Sequence, residues 1–129
     1  MALRFDFSGN GQSEGEFTQS TYTKQISETK IACAVLSSHG ASRIGLAGHS
    51  MGAVIALLTS IEMKTITAVR TLAGRLSGMN AMRFLDRQQR DELDSIGRVA
   101  FSSRGRQLVL DQNFSPMPAA SISHPFYPG

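Results

Sequence analysis

The sequence predicts an α/β fold, a parallel sheet of about three strands joined by crossover helices. Strand-like and helix-like segments alternate between residues 1 and 74, in the order strand, loop, helix, strand, helix, strand. The strand-like segments are apolar or β-branched, and the helix-like segments place apolar residues at helical spacing. This alternation is typical of parallel strands, whose connections must cross from one end of the sheet to the other.

Three segments are predicted as strands. Residues 2–7 alternate large apolar and polar side chains. Residues 43–47 are nearly continuous in apolar residues, which is typical of a parallel strand covered on both faces. Residues 65–72 are rich in β-branched side chains and end before Gly74.

Two helices are predicted between these strands. The first spans about residues 21–38, and the second follows a glycine-rich turn from Met51 to about Met63. Residues 8–15 are glycine-rich and polar, so they are predicted as a loop. The apolar stripe of the first helix contains Tyr22, Ile26, Cys33 and Leu36, with Ala32 and Val35 widening it.

The rest of the chain breaks the alternation. Residues 80–95 are predicted as a charged helix with a thin apolar stripe at Met82, Leu85 and Leu93. A hairpin is predicted from two apolar runs, 98–101 and 107–110, on either side of a turn that contains glycine. The organisation we expect is a core over 1–74, a second unit over 75–114 and an irregular, proline-containing tail over 115–129.

Composition favours one cytoplasmic domain. A chain of 129 residues with 41% hydrophobic and 18% charged residues is ordinary for a globular domain. No apolar run approaches the roughly 20 residues of a membrane span, and the first residues do not resemble an export signal. The single cysteine, Cys33, excludes an internal disulfide and fits a reducing compartment. On the apolar stripe it is expected to be a buried structural residue.

Charge and glycine patterns predict neither a nucleic-acid partner nor a cofactor. The net charge is +3, but Arg83, Arg87 and Arg90 alternate with acidic residues, which is typical of a solvated helix face. The glycines after the first strand lack a dinucleotide-binding pattern, because Glu14 stands where its third glycine would be. No phosphate-binding Gly-Lys-Ser or Gly-Lys-Thr sequence is present, and we expect no metal.

The turn Gly48-His49-Ser50-Met51-Gly52 is the strongest chemical signal in the sequence. In a G-x-S-x-G turn between a strand and a helix, the serine adopts a strained backbone conformation that lifts its hydroxyl clear of the sheet. Larger side chains at Gly48 or Gly52 are expected to clash. Ser50 is therefore a candidate nucleophile, and the alternative is an ordinary serine in a glycine-rich turn.

Two motifs together resemble a known family. The segment Arg4-Phe5-Asp6-Phe7-Ser8-Gly9-Asn10-Gly11-Gln12-Ser13 has the pattern R-x-D-x-x-G-x-G-x-S, and the Ser50 turn follows some forty residues later. This order is similar to the middle of an α/β-hydrolase, most of all to serine-aminopeptidase-like and monoacylglycerol-lipase-like esterases. The resemblance covers residues 2–74, and residues 75–114 look like the start of the family's cap.

The resemblance implies a serine hydrolase acting on a small-molecule ester or related acyl substrate, without a cofactor. Ser50 would be the nucleophile, and the backbone N–H of Met51 would donate to the oxyanion. Gly48, His49 and Gly52 would form the structure of the turn.

The resemblance also implies that parts of the site lie outside this sequence. In the family the second oxyanion donor precedes these residues, and the acid and the histidine follow them. We expect none of His39, His49, His124 and Asp111 to replace them. The alternative to an enzyme is a truncated, non-catalytic fragment or pseudo-hydrolase that binds a partner. Exposed sheet edges would also favour self-association.

Overall fold

A computed structural model describes residues 1–74, 85–103 and 105–112, with the side chain of Ser103 left out. The predictions for Met82, for residues 75–84 and for the tail at 115–129 lie outside these residues. A short 3-10 helix at Phe17–Gln19 precedes the main elements. Those are α1 (Tyr22–Ser38), β1 (Ile44–His49), α2 (Met51–Glu62), β2 (Ile66–Leu72), α3 (Arg87–Ile96), β3 (Arg98–Ser103) and β4 (Arg106–Asp111).

The strands β1 and β2 form a parallel pair with α2 as the crossover, which confirms the α/β fold class. The register runs from Ile44 opposite Ile66 to His49 opposite Leu72, with one irregularity between Ile44 and Gly45. Both strands end beside the start of α2. The turn that carries Ser50 therefore lies at the carboxyl edge of the sheet, where parallel sheets commonly place their sites.

The predicted third strand at residues 2–7 is wrong. This segment lies outside regular secondary structure, and the parallel sheet of the described residues has two strands. Its alternating pattern is present, and the rings of Phe5 and Phe7 meet edge to face with centroids 5.0 Å apart. A strand also needs hydrogen bonds from a neighbouring strand, and no described strand pairs with this segment.

The helix α1 has the predicted bounds within one residue at its start. Its N-cap is Thr21, whose hydroxyl oxygen accepts a hydrogen bond from the N–H of Lys24 at 3.1 Å. The predicted stripe is buried at Tyr22, Ile26 and Cys33. Val35 does not widen it, since this side chain is 45% exposed.

The main core lies between the two helices. Tyr22 and Ile26 of α1 pack with Val54 and Ile55 of α2, and an ion pair between Lys30 and Glu62 joins the helices at the surface. Three partly buried side chains pack against this first cluster: Phe7, Met51 and Leu58.

Only one face of the sheet is covered within the described residues, so the prediction that 43–47 is covered on both faces is wrong. Along β1, Ile44 is buried and Leu46 is half-buried, whereas Gly45, Ala47 and His49 are exposed. This alternation arises because α2 packs on one side of β1, and successive side chains of a strand point to opposite sides.

The predicted hairpin is confirmed, and the helix predicted at 80–95 is confirmed from Arg87 onward. Leu85 and Asp86 lie before its first turn, because Asp86 is the N-cap. Strands β3 and β4 pair antiparallel, with Val99 opposite Leu110. Together with Leu85 and Leu93 these residues form a second, separate buried cluster. Helix α3 begins at the N-cap Asp86, and the turn between the strands contains Gly105 as predicted.

Candidate active site

Ser50 occupies the turn between β1 and α2 in a conformation that non-glycine residues rarely adopt. Its φ is 54° and its ψ is −119°. The N–H of Ser50 donates to the carbonyl oxygen of Leu72 at 2.8 Å, which fixes the turn to the end of β2. The side chain is exposed, and its Oγ makes no hydrogen bond with another described residue. The hydroxyl is thus accessible at the carboxyl edge of the sheet.

The two glycines of the turn differ in their surroundings. A Cβ atom at Gly48 would lie 2.1 Å from the carbonyl oxygen of Gly52, so only glycine fits at position 48. A Cβ atom at Gly52 would meet nothing within 4 Å. The expectation that a larger side chain clashes at Gly52 is therefore wrong for this structure. The physical reason is that Gly52 faces a cavity instead of a packed neighbour.

Met51 begins helix α2, and its N–H is one of the donors that a helix leaves without an internal partner. Its side chain packs against the first cluster, which holds the first turn of the helix in place. Unpaired N–H groups and the helix dipole together give this end of α2 a partial positive charge of roughly half an elementary charge. An oxyanion formed at Ser50 would lie next to this charge.

Neither described histidine is hydrogen-bonded to Ser50. His49 is exposed on the uncovered face of the sheet. His39 ends α1, before β1 begins, and its Nδ1 lies 2.8 Å from the carbonyl oxygen of Val35. Ser50 follows the other end of β1, about 20 Å away for a six-residue strand. Asp111 ends β4 in the hairpin, as predicted, and His124 lies outside the described residues.

A loop at residues 8–15 is attached to α1 by a residue that the sequence did not single out. The carboxylate of Glu28 accepts hydrogen bonds from the N–H of Ser8, at 3.1 Å, and from its hydroxyl. The carboxylate of Asp6, which precedes the loop, accepts from the N–H of Gln12 at 3.2 Å. Phe7 packs against the same cluster as Met51, which places the start of this loop beside α2.

Cys33 is buried, as predicted, with 1% of its surface exposed. Burial also raises the pKa of its thiol, which disfavours the reactive thiolate. In the described ranges, no three histidine, cysteine, aspartate or glutamate side chains lie close enough to hold a metal ion. None of the helices described is both long and apolar enough to cross a membrane.

Comparison with solved structures finds a similar chain. The chain superimposes on the crystal structure of a "Putative hydrolase" from Agrobacterium vitis S4 with a TM-score of 0.64 and 27% sequence identity. The superposition covers 84% of this chain and 45% of the Agrobacterium chain. No family model matches the sequence, and no curated protein matches it.

The fold and the strained serine turn therefore define this chain as a protein with a hydrolase-like α/β fold. The matched residues span less than half the length of the Agrobacterium protein.

Proposed function

We propose that this chain is the central part of a serine hydrolase of the α/β-hydrolase type, similar to serine-aminopeptidase-like and monoacylglycerol-lipase-like esterases. Its substrate is a carboxylic ester or a related acyl compound. The observation that carries the proposal is the strained, exposed Ser50 between a parallel strand and a helix, with φ at 54°. The similarity over 84% of the chain to a solved structure titled "Putative hydrolase" supports it.

In the proposed reaction, Oγ of Ser50 attacks the carbonyl carbon of the substrate and forms an acyl-enzyme, which water then hydrolyses. The developing oxyanion accepts a hydrogen bond from the N–H of Met51 and lies at the positive end of α2. A base must take the proton of Ser50, and no described residue is hydrogen-bonded to this hydroxyl. The base, the acid and a second oxyanion donor would come from polypeptide outside the described residues.

A second candidate function follows from that missing base. Loss of the histidine of a serine triad lowers turnover on the order of a million-fold, so residues 1–129 alone would hydrolyse substrate very slowly. The alternative is a non-catalytic fragment or pseudo-hydrolase that acts by binding a partner. The free hydroxyl of Ser50 is the observation that favours it.

A fluorophosphonate probe distinguishes the two candidates, because it labels only serines that are activated as nucleophiles. If the chain is catalytic by itself, the probe labels it, and the Ser50→Ala substitution abolishes labelling. The control is Ser42→Ala, at an exposed serine before β1, which should leave labelling unchanged. Absence of labelling in a folded chain would contradict autonomous activity and favour the pseudo-hydrolase. Labelling that persists in Ser50→Ala would contradict the assignment of the nucleophile.

A further inference from the structure

The loop at residues 8–15 contains a chemically reactive pair, Asn10-Gly11. Asparagine is a thermolabile residue, because the backbone nitrogen of the next residue can attack its side-chain amide carbon. Glycine leaves this attack unhindered, since it has no Cβ atom. Of the asparagines in the sequence, only Asn10 is followed by glycine, whereas Asn80 precedes alanine and Asn113 precedes phenylalanine. The sequence therefore favours this reaction at Asn10.

The backbone nitrogen of Gly11 is accessible in the folded loop. Its N–H donates no hydrogen bond to another described residue. The neighbouring backbone is held, because the N–H of Asn10 donates to the carbonyl oxygen of Phe7 at 2.9 Å. The carbonyl oxygen of Asn10 in turn accepts from the N–H of Ser13 at 3.0 Å. Gly11 is exposed, with φ at 55°, so hydroxide from solvent reaches its N–H.

The side-chain amide of Asn10 is held by a single long hydrogen bond. Its Nδ2 donates to the carbonyl oxygen of Ser8 at 3.3 Å, which exceeds the usual length of such a bond. Its Oδ1 accepts no hydrogen bond from another described residue, and the residue is half-buried. Rotation of this amide towards the nitrogen of Gly11 therefore breaks one weak bond and leaves the backbone bonds of the loop in place.

We propose that Asn10 is a site of spontaneous covalent modification, at which the folded chain converts this asparagine into aspartate and isoaspartate. The nitrogen of Gly11 gives its proton to solvent hydroxide and forms a bond to Cγ of Asn10. The bond between Cγ and Nδ2 breaks, and Nδ2 takes up a proton from water and leaves as ammonia. Water then opens the succinimide ring at either of its carbonyl carbons. The net reaction consumes water and releases ammonia, and it needs no other reactant.

Both products loosen the turn that follows position 10. Neither has the side-chain donor that bonds the carbonyl oxygen of Ser8. Isoaspartate also carries the main chain through its Cβ atom, which moves the carbonyl oxygen that accepts from the N–H of Ser13. The start of the loop is less affected, because Ser8 donates to the carboxylate of Glu28 through its own N–H and hydroxyl.

The charge of the products acts in the same direction. Both place a carboxylate in a segment that is already acidic, and no lysine or arginine occurs between positions 5 and 23 to offset it. Like charges at short range repel one another. The acidic residues of this segment are Asp6, Glu14 and Glu16. The proposal does not depend on whether Ser50 is a nucleophile.

The test incubates the full chain in warm, mildly alkaline buffer and follows the loop by peptide mapping with mass spectrometry. Fragmentation of the loop peptide distinguishes isoaspartate from aspartate. The matched control is Asn10→Gln, which keeps a side-chain amide but has to close a larger ring. A synthetic peptide of residues 6–16 reports the same reaction without the fold. Amide hydrogen exchange of the aged and the fresh chain measures the effect on the loop.

The expected result is a mixture of isoaspartate and aspartate at position 10 of the folded chain. It should form at least about tenfold faster than any product at Asn80 or Asn113, where the next residue has a side chain. The rate should rise with pH, because the attacking nitrogen has to lose its proton. Asn10→Gln should stay unmodified at this position. In the aged chain, amide exchange of Ser13 should accelerate while that of Ser8 does not change.

Three results would overturn the proposal. One is an intact Asn10 in the folded chain over a period in which the synthetic peptide is modified, because the fold would then block the attack. Another is aspartate without isoaspartate, since water and not the nitrogen of Gly11 would then be the nucleophile. The last is equal rates at Asn10, Asn80 and Asn113, which would show that the loop has no selective reactivity.

Discussion

Gly48 and Gly52 stand at equivalent ends of the Ser50 turn, but the structure gives them different roles. A methyl group at position 48 would collide with the backbone of Gly52, whereas one at position 52 has open space. We expect Gly48→Ala to lower the free energy of unfolding by about 3 kcal/mol or more, because backbone cannot move aside as a side chain can. Urea denaturation measures this loss.

Gly52→Ala is the matched control for that substitution. Position 52 lies in the first turn of α2, so alanine should raise the free energy of unfolding by up to about 1 kcal/mol through its better helix propensity. Equal destabilisation by both substitutions would contradict the geometry of the turn.

Tyr22 and Cys33 make the stability of the chain sensitive to alkaline pH. Burial raises the pKa of both groups, above 10.0 for Tyr22 and above 9.0 for Cys33. A group whose pKa is higher in the folded state than in the unfolded state stabilises the fold fully at pH values below its unfolded-state pKa. This stabilisation is lost as the pH rises through the folded-state pKa of the group. We expect Tm to fall from about pH 9 upward, first through Cys33 and then through Tyr22.

The measurement is Tm at several pH values between about 8 and 11 for the wild type and for Tyr22→Phe. The variant keeps the ring in the first cluster but has no phenol to ionise, so its Tm should fall less above about pH 10. Parallel curves for the two proteins would show that Tyr22 does not contribute to the pH dependence.

Helix α1 is stabilised by its N-cap as well as by its buried stripe. Thr21 accepts a hydrogen bond from Lys24, so Thr21→Ala should cost about 1 kcal/mol of unfolding free energy. Thr23→Ala, at an exposed position in the first turn, should raise the free energy of unfolding by only a few tenths of a kcal/mol. Chemical denaturation of both variants tests the cap, and equal effects would contradict it.

The helices, β1, β2 and the hairpin could be predicted from periodicity because each makes its decisive contacts locally or with the next element. The strand predicted at 2–7 could not be judged in this way, since pairing depends on a neighbour that periodicity does not identify. The turn at Ser50 was predictable because the steric requirement for glycine at position 48 arises from residues close in the sequence. The contact between Ser8 and Glu28 was not, because 20 residues separate two polar groups with no common pattern.

The described residues contain two buried clusters. The first cluster belongs to a unit formed by α1, α2, β1 and β2, and the second cluster belongs to a unit formed by α3, β3 and β4. The rings of Phe17 and Phe101, with centroids 6.4 Å apart, connect the two units. Because the clusters are separate, local stability should differ between them.

Leu93→Ala tests this division. The substitution should cost the second unit about 2–5 kcal/mol, as expected for a buried leucine. Hydrogen exchange measured by mass spectrometry should then accelerate in residues 85–112 while β1 and α2 keep their protection. Ile55→Ala should give the reverse pattern. Uniform acceleration across both units in either variant would show that the molecule unfolds as one cooperative body.

The hydrogen bonds from Ser8 to Glu28 have a consequence for how the loop at 8–15 can vary. The loop at 8–15 is fixed at Ser8 by a side chain of α1 and at Gln12 by Asp6, so its attachment depends on residues outside its exposed tip. Substitutions at exposed tip residues such as Glu14 leave these anchors and the first cluster intact. The sequence of the loop tip can therefore change without loss of stability in the core.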